Sequence, residues 1–478
     1  MKQTITLVLA LQLLTSTFLL GQNTSMAMQL EQLGGATEMT WVTQRFLVHK
    51  NYNLLHTGFG LETQSAIGGK YGGFYVFGLH GQVSLDFPVL QLQTGLTLAT
   101  GGGAGAPDGD GLMYRWESGI GARVHSNAKV LLTYSLLDFP SGEIKSSHPG
   151  LQLVLNLPYR WQPENQIDLR PGAISVLSSI MLFDSEDASN ITTYGQSLYT
   201  GVRFSQEIYE NLDLDLQLGA SALGETDGFM DYKAGLTYVP GKGNIQPLLR
   251  GQIGSGGGGS VLTAGGFAIY GGGGFRILNK IELSLNYWKS TGSAMGAPVI
   301  ELSYRAPFNS NFGFVHSGNT GVYQKEVLKS TPLTLVIGSR VNLASGVDRN
   351  GLDYNPMGSI FMGAKLPVTK GVFLSGETLW AATGGYGAYA EGMFGIYQDL
   401  IDKGRVKIGW NSSVVAAGGG GIETNNGLAF AYGMHLSIEN SIKNRWTFIA
   451  RQKYFGQGAY NPLVLGVQYE PTFKIFTR

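Results

Sequence analysis

The sequence predicts an all-β protein: a large antiparallel transmembrane β-barrel of about 22–24 strands with a threefold internal repeat. Three observations carry this expectation. Apolar residues recur with period two almost everywhere. After residue 27 no stretch approaches the roughly 18 consecutive apolar residues of a membrane helix. Glycine tracts begin at Gly101, Gly256 and Gly418, each between two strand-like runs.

Composition fits this class. The 478 residues include 71 Gly, 23 Phe and 23 Tyr but no Cys. Charged residues make up 14%, against about 25% in soluble domains. Lys plus Arg equals Asp plus Glu at 33 each, so no basic stripe marks a nucleic-acid binder. Without cysteine there are no disulfides and no thiolate metal ligands.

Residues 1–21 read as an export signal, with Lys2 ahead of an apolar run from Leu7 to Leu20. Cleavage is expected after Gly21 or after Ala27, where Ser25-Met26-Ala27 has the small-x-small form. Alternation then begins. Leu90, Leu92, Leu96 and Leu98 alternate with Gln91, Gln93 and Thr97, and Leu151, Leu153, Leu155 and Leu157 with Gln152 and Asn156. Leu212, Leu214, Leu216 and Leu218 alternate with Asp213, Asp215 and Gln217, and Ile281, Leu283 and Leu285 with Glu282, Ser284 and Asn286. A strand places such sets on opposite faces. Soluble sandwiches also alternate, but these runs are long, and a tilted membrane strand needs about 9–11 residues. Tyr159, Tyr304 and Tyr469 close runs just before turns, where membrane barrels carry interface anchors. Connections alternate between short (125–128, 209–211, 278–280, 369–371) and longer (101–111, 138–148, 184–196, 346–355), as periplasmic turns and external loops do.

On this pattern the chain resembles bacterial outer-membrane β-barrels as a broad class, and its Leu19-Leu20-Gly21-Gln22 junction is similar to export signals of the Bacteroidota. The resemblance implies the outer membrane of a Gram-negative bacterium. Many such barrels end on an aromatic residue; here the last aromatic, Phe476, is two residues short.

Aligning on the glycine tracts gives repeat units of about 26–163, 164–307 and 332–471. Their closing strands, Leu155–Arg160, Ile300–Arg305 and Leu465–Glu470, are each followed by a proline (Pro163, Pro307, Pro471) that ends the ladder. With Met26–Leu33 as a first strand the count is 24; without it, about 22. The alternative of three eight-stranded barrels needs linkers, and the joint at 158–166 is short. A single barrel over 22–478 is therefore expected, with 307–331 as an inward plug, a docking segment or a plain loop.

The interior face of that barrel collects Glu62, Gln91, Gln93, Arg115, Glu117, Arg203, Glu207, Asp213, Asp215, Glu282, Glu301, Arg305, Arg340, Lys365, Glu377 and Lys407. Mixed signs predict a weakly selective pore or charges that pair across the wall. Gly102, Gly257 and Gly419 mark the three mouth loops, expected to project outward at one rim. They are not phosphate cradles, because each tract leads to a strand rather than to a helix.

Chemistry is thinly represented. His125-Ser126-Asn127 falls in an expected turn. His435, Ser437 and Glu439 share a strand face, where second neighbours stand about 6–7 Å apart, long for a triad. The seven His show no ligand spacing, and Asp108-Gly109-Asp110 is turn chemistry with at most weak calcium affinity. No catalytic residue, metal or cofactor is expected. The leading reading is an outer-membrane channel or translocation barrel, with outer-membrane lipid as its first partner. The second is a structural subunit of a larger complex, joined to another outer-membrane or periplasmic protein. A lipid-acting hydrolase is remote, and no nucleic acid is involved.

Overall fold

The computed structural model describes residues 23–477 except 35–37, 126–127, 158–165, 183–195, 225, 227–228, 242, 259–265, 291–295, 311–320, 325–328, 347–350, 352, 425–426, 440–444 and 457–458. The proposed signal segment 1–21 lies outside the described residues.

Alternation becomes antiparallel hairpins, but these do not join into one wall. The first unit contains β1 (Asn23–Leu33), β2 (Met39–Tyr52), β3 (Leu55–Gly69), β4 (Tyr75–Asp86), β5 (Leu90–Gly102), β6 (Leu112–His125), β7 (Ala128–Asp138) and β8 (Lys145–Leu157). Each strand pairs with the next, and β8 returns to β1 with Met26 opposite Leu155. The second unit contains β9 (Gln166–Leu182), β10 (Gln196–Tyr209), β11 (Leu212–Gly224), β12 (Met230–Tyr238), β13 (Ile245–Gly257), β14 (Phe267–Ile277), β15 (Ile281–Ser290) and β16 (Gly296–Ser310), and β16 closes on β9. A short β17 (Gly321–Gln324) extends the pairing along β9. The third contains β18 (Lys329–Leu343), β19 (Met357–Thr369), β20 (Val372–Thr383), β21 (Ala390–Lys403), β22 (Val406–Gly418), β23 (Leu428–Glu439), β24 (Arg445–Tyr454) and β25 (Leu463–Glu470), and β25 closes on β18. Past Pro471, β26 (Thr472–Thr477) continues the ladder on the start of β18.

All-β class, antiparallel pairing and threefold repetition are as expected. The single barrel of 22–24 strands is corrected to three barrels of eight. Within Met26–Leu33, residues Met26 to Glu31 are paired on both edges, so each repeat supplies its own first and last strand and closes on itself. The short joint that argued for one wall is compatible with three. Strand β8 ends and β9 begins at the short-turn end, and barrels packed side by side need no long linker.

Side chains are distributed inside out. On β15, Leu283 and Leu285 are 49% and 63% exposed, while Glu282 and Ser284 between them are 2% and 3% exposed. A water-soluble protein would place these sets the other way round. Exposed aromatics gather at both rims: Tyr52, Tyr209, Tyr238 and Tyr304 toward the short turns, and Tyr114, Tyr287, Phe430 and Tyr454 toward the long loops. An apolar belt between aromatic girdles is the exterior of a membrane-spanning barrel.

The barrels touch in a cycle. Strand five of each packs on strand three of another: β13 on β3, β5 on β20, and β22 on β11. Contacts at the long-loop end fix two of these seams. The Ser255 hydroxyl donates to the Ala66 carbonyl at 2.6 Å, and the Tyr75 hydroxyl to that of Met230 at 3.1 Å, joining barrels two and one. The Gly385 amide donates to Asp110 at 2.6 Å, and Phe77 stacks on Trp380 at 4.7 Å, joining barrels one and three.

Candidate functional site

Each barrel interior is built in two storeys. Near the long-loop rim sits a buried aromatic cap. In barrel one Trp41 stacks on Phe74 at 5.5 Å, and Phe139 meets Phe74 edge-on at 5.9 Å. In barrel two Phe229 meets Trp288 edge-on at 5.6 Å. In barrel three Tyr354 and Tyr389 pack on Tyr460 at 4.9 and 6.0 Å.

Below the caps lie buried ion networks. In barrel one Arg45 donates from Nε to Glu62 at 2.6 Å and from its two terminal nitrogens to both oxygens of Glu117 at 2.8 and 2.7 Å. Arg115 donates to Glu31 at 2.8 Å and to Glu62 at 2.7 Å. Gln29 and Thr43 donate to Glu117 and Glu31, and His80 and His148 lie 3.3 and 3.1 Å from Glu62 and Glu31. In barrel two Arg203 and Arg250 both bridge Glu282 and Glu301 at 2.5–2.9 Å, and Tyr270 donates to Glu301 at 2.9 Å. Arg276 ties Glu282 to Asp213, while Asp215 accepts from Ser205 and Thr237. In barrel three Glu377 accepts from Arg340, from Arg451 at 3.1 Å and from Tyr397 at 2.7 Å. Lys365 pairs with Glu470 at 2.6 Å and Lys453 with Glu391 at 2.5 Å. Bidentate, charge-assisted contacts of this kind are the strongest hydrogen bonds available to side chains.

Eight strands enclose an interior just wide enough for side chains to fill. Arg45, Arg115, Arg203, Arg340 and Arg451 are each less than 2% exposed, so bulk water does not reach the guanidinium groups. The wide lumen expected of a large barrel is therefore replaced by three narrow, occupied ones.

The residues read as pore-lining do face interiors, divided three ways. Glu62, Arg115 and Glu117 meet in barrel one; Arg203, Asp213, Asp215, Glu282 and Glu301 in barrel two; and Arg340, Lys365 and Glu377 in barrel three. Lys407 lies apart from these networks, near the short turns, 3.1 Å from Asp402. Glu31, Arg45, Arg250, Arg451, Lys453, Glu391 and Glu470 belong to the same networks and escaped the sequence reading. A signal was available at Glu31, where Gln29 and Glu31 alternate with Met28 and Leu30. Arg45 had none, because its own face also carries Trp41 and Leu47.

The tracts of Gly102, Gly257 and Gly419 occupy equivalent places, each joining strands five and six of its barrel. Two of them lie in seams rather than around a shared pore mouth. A Cβ on Gly73 would stand 2.3 Å from the backbone nitrogen of Gly258, so the loops of barrels one and two meet backbone to backbone. Gly102 abuts Ala388 of barrel three, and Gly419 and Gly420 pack on residues 386–389 of their own barrel. Tyr304 is 58% exposed at the short-turn rim, whereas Tyr469 is buried beside Trp446 at 5.1 Å. Tyr159 and most of 307–331 lie outside the described residues.

The Ser437 hydroxyl pairs with Thr447 at 2.8 Å, and His435 with Asp399 at 3.1 Å, so this histidine and serine do not form a nucleophile–base pair. Ser126 and Asn127 lie outside the described residues. Asp108 accepts from the Gly103 amide at 3.2 Å, and burial pushes its carboxyl up to about 7.

No family model and no curated protein matches the chain. Among solved structures it is similar to the siderophore receptor PirA from Acinetobacter baumannii, with 9% identity and a TM-score of 0.28 over 95% of this chain and 80% of that one. It is similar also to OccK5 (OpdH) of Pseudomonas aeruginosa, with 7% identity and a TM-score of 0.21 over 95% and 98%. For OccK11 (OpdR) of the same organism the values are 10% and 0.22 over 96% and 98%. Scores this low carry nothing about topology or function from those proteins to this chain.

Proposed function

We propose that the chain is an outer-membrane protein of a Gram-negative bacterium whose three sealed barrels form a membrane-embedded platform, a structural subunit of a larger assembly. The observation that carries this reading is the filling of each barrel by an aromatic cap above a buried Arg–carboxylate network. Such networks brace the walls and fill the interiors with paired side chains. In this reading Glu62, Arg115, Glu117, Arg203, Asp213, Asp215, Glu282, Glu301, Arg340, Lys365 and Glu377 hold the walls together. Lipid surrounds the apolar belt, and another outer-membrane or periplasmic protein meets the loops or the extension made by β17. No cofactor is required.

A second reading, solute passage, is favoured by one observation: below the caps the interiors are polar and charged. Separation of the Arg–Glu pairs would line a narrow hydrophilic path. Planar-bilayer recording on the purified chain separates the two. The platform predicts a quiet membrane and a protein partner that co-purifies from native membranes. Reproducible conductance steps from the unmodified chain would overturn it.

A further inference from the structure

We propose that Asp108 is a proton-operated latch between barrels one and three, closed in acid and released toward neutral pH. The proposal rests on the packing of those two barrels and not on the platform reading.

The 103–111 loop of barrel one and the 384–389 turn of barrel three meet backbone to backbone. A side chain on Gly387 would start 2.3 Å from the Gly109 carbonyl oxygen and 3.0 Å from Asp108 Oδ1. Across the same seam the Gly385 amide donates to Asp110 at 2.6 Å. Asp108 lies beneath that turn, 7% exposed. The donors it meets are backbone amides, that of Gly103 at 3.2 Å. Among the described residues no cation stands against it. The 141–143 turn, which packs on Pro107 and Asp108, brings only Glu143, itself exposed. On the barrel-three turn the Tyr386 hydroxyl accepts from the Asn355 amide, and the Tyr389 hydroxyl donates to Glu391. Lys70, on the loop that meets Gly103, is exposed.

A carboxylate taken out of water without a cation is disfavoured in its charged form. Deprotonation therefore draws water into the seam, which the 384–389 turn admits by lifting. Lower down, the Thr100 hydroxyl still donates to the Ala381 carbonyl and Phe77 stacks on Trp380, so the barrels stay together while the turn moves. Burial raises the Asp108 carboxyl to about 7, against a reference of 3.8. The closed seam thus holds a proton that the open seam releases between those values. Opening becomes roughly tenfold easier per pH unit across that window and levels off above it.

The test is hydrogen exchange read by mass spectrometry on the full chain in proteoliposomes, corrected for intrinsic rates. Protection of residues 384–389 should fall at least roughly tenfold from pH 5 to pH 7, while residues 253–258, which seat Ser255 on barrel one, show no such fall. Asp108→Asn should keep the pH 5 protection at both values, and Asp110→Asn should retain the fall. Gly387→Ala, wedged against the Gly109 carbonyl, should be open at both. Constant protection in the unmodified chain, or an undiminished fall in Asp108→Asn, overturns the proposal. A fall abolished by Asp110→Asn overturns the assignment to Asp108. If Asp108→Asn fails to refold, Gly387→Ala decides, and a fall there as large as in the unmodified chain overturns the proposal.

Discussion

Barrel one sets three carboxylates, Glu31, Glu62 and Glu117, against two guanidinium groups, Arg45 and Arg115. This imbalance makes the two ends of one ion pair unequal. Arg45→Met would leave three buried carboxylates facing a single cation and strip Glu117 of its bidentate partner. Breaking a buried pair in this sense costs about 3–5 kcal/mol. Glu117→Gln removes the surplus negative charge, keeps an oxygen that can accept from Arg45, and leaves Arg45 its 2.6 Å contact with Glu62. Its cost should stay near the roughly 1–3 kcal/mol of an imperfectly satisfied buried group. The assay is urea unfolding in proteoliposomes, followed by loss of the heat-modifiable gel shift and by protease sensitivity of residues 23–157. The arginine variant should unfold at clearly lower urea than the glutamine variant. Equal midpoints, or a lower one for Glu117→Gln, would refute the claim that net charge governs this network.

Other expectations follow from single sites. A Cβ on Gly60 would stand 1.9 Å from the Phe46 carbonyl oxygen, whereas Gly376 has nothing within 4 Å; Gly60→Ala should destabilise by about 1–3 kcal/mol, and Gly376→Ala should leave the urea midpoint unchanged. Asp108 has its carboxyl raised to about 7 from a reference of 3.8, so the folded chain binds the extra proton between those values. Its contribution to stability therefore falls as pH rises from 4 to 7; Asp108→Asn should flatten that slope, and an unchanged slope would assign it to other groups. Because the chain lacks cysteine, Phe77→Cys with Trp380→Cys should cross-link through a short bis-maleimide in intact membranes, and failure to do so would deny the packing of barrels one and three. Asn23 to Ala27 pair with both β2 and β8, apart from Asn23, which pairs with β2 alone; amino-terminal sequencing of the mature protein should therefore begin at Gln22 rather than at Met28.

Much of this architecture can be read directly from residue order. Alternation such as Leu212 to Leu218 fixes which face meets lipid, and equivalent glycine tracts reveal three units. Closure is not local in this sense. Whether β8 pairs with β1 or with β9 depends on contacts far apart in sequence, and the pattern of Leu151 to Leu157 suits either neighbour. The same limit applies inside the barrels. Alternation assigned Glu62 and Arg115 to the interior but gave no reason for them to meet, because β3 and β6 are not adjacent. The aromatic caps were hidden for a different reason. Trp41 on β2 and Trp288 on β15 point inward while being apolar, against the polar-in rule that serves the rest of each strand. Their role depends on the loops that roof them.

The cyclic contacts between barrels have a consequence for how such a chain can grow or shrink. Each barrel offers two unlike surfaces, one centred on strand three and one on strand five, and uses each toward a different neighbour. Units joined head to tail in this manner form a ring if the rotation between them closes, and an unending row if it does not. Here the third unit reaches back to the second while the first reaches the third, so three is the number at which no surface is left over. A chain with two units would expose one of each surface within the bilayer and should recruit a third from another copy. A fourth unit would find no vacancy. The triplication is thus a complete set, and a single repeat expressed alone carries both halves of the contact needed to rebuild it.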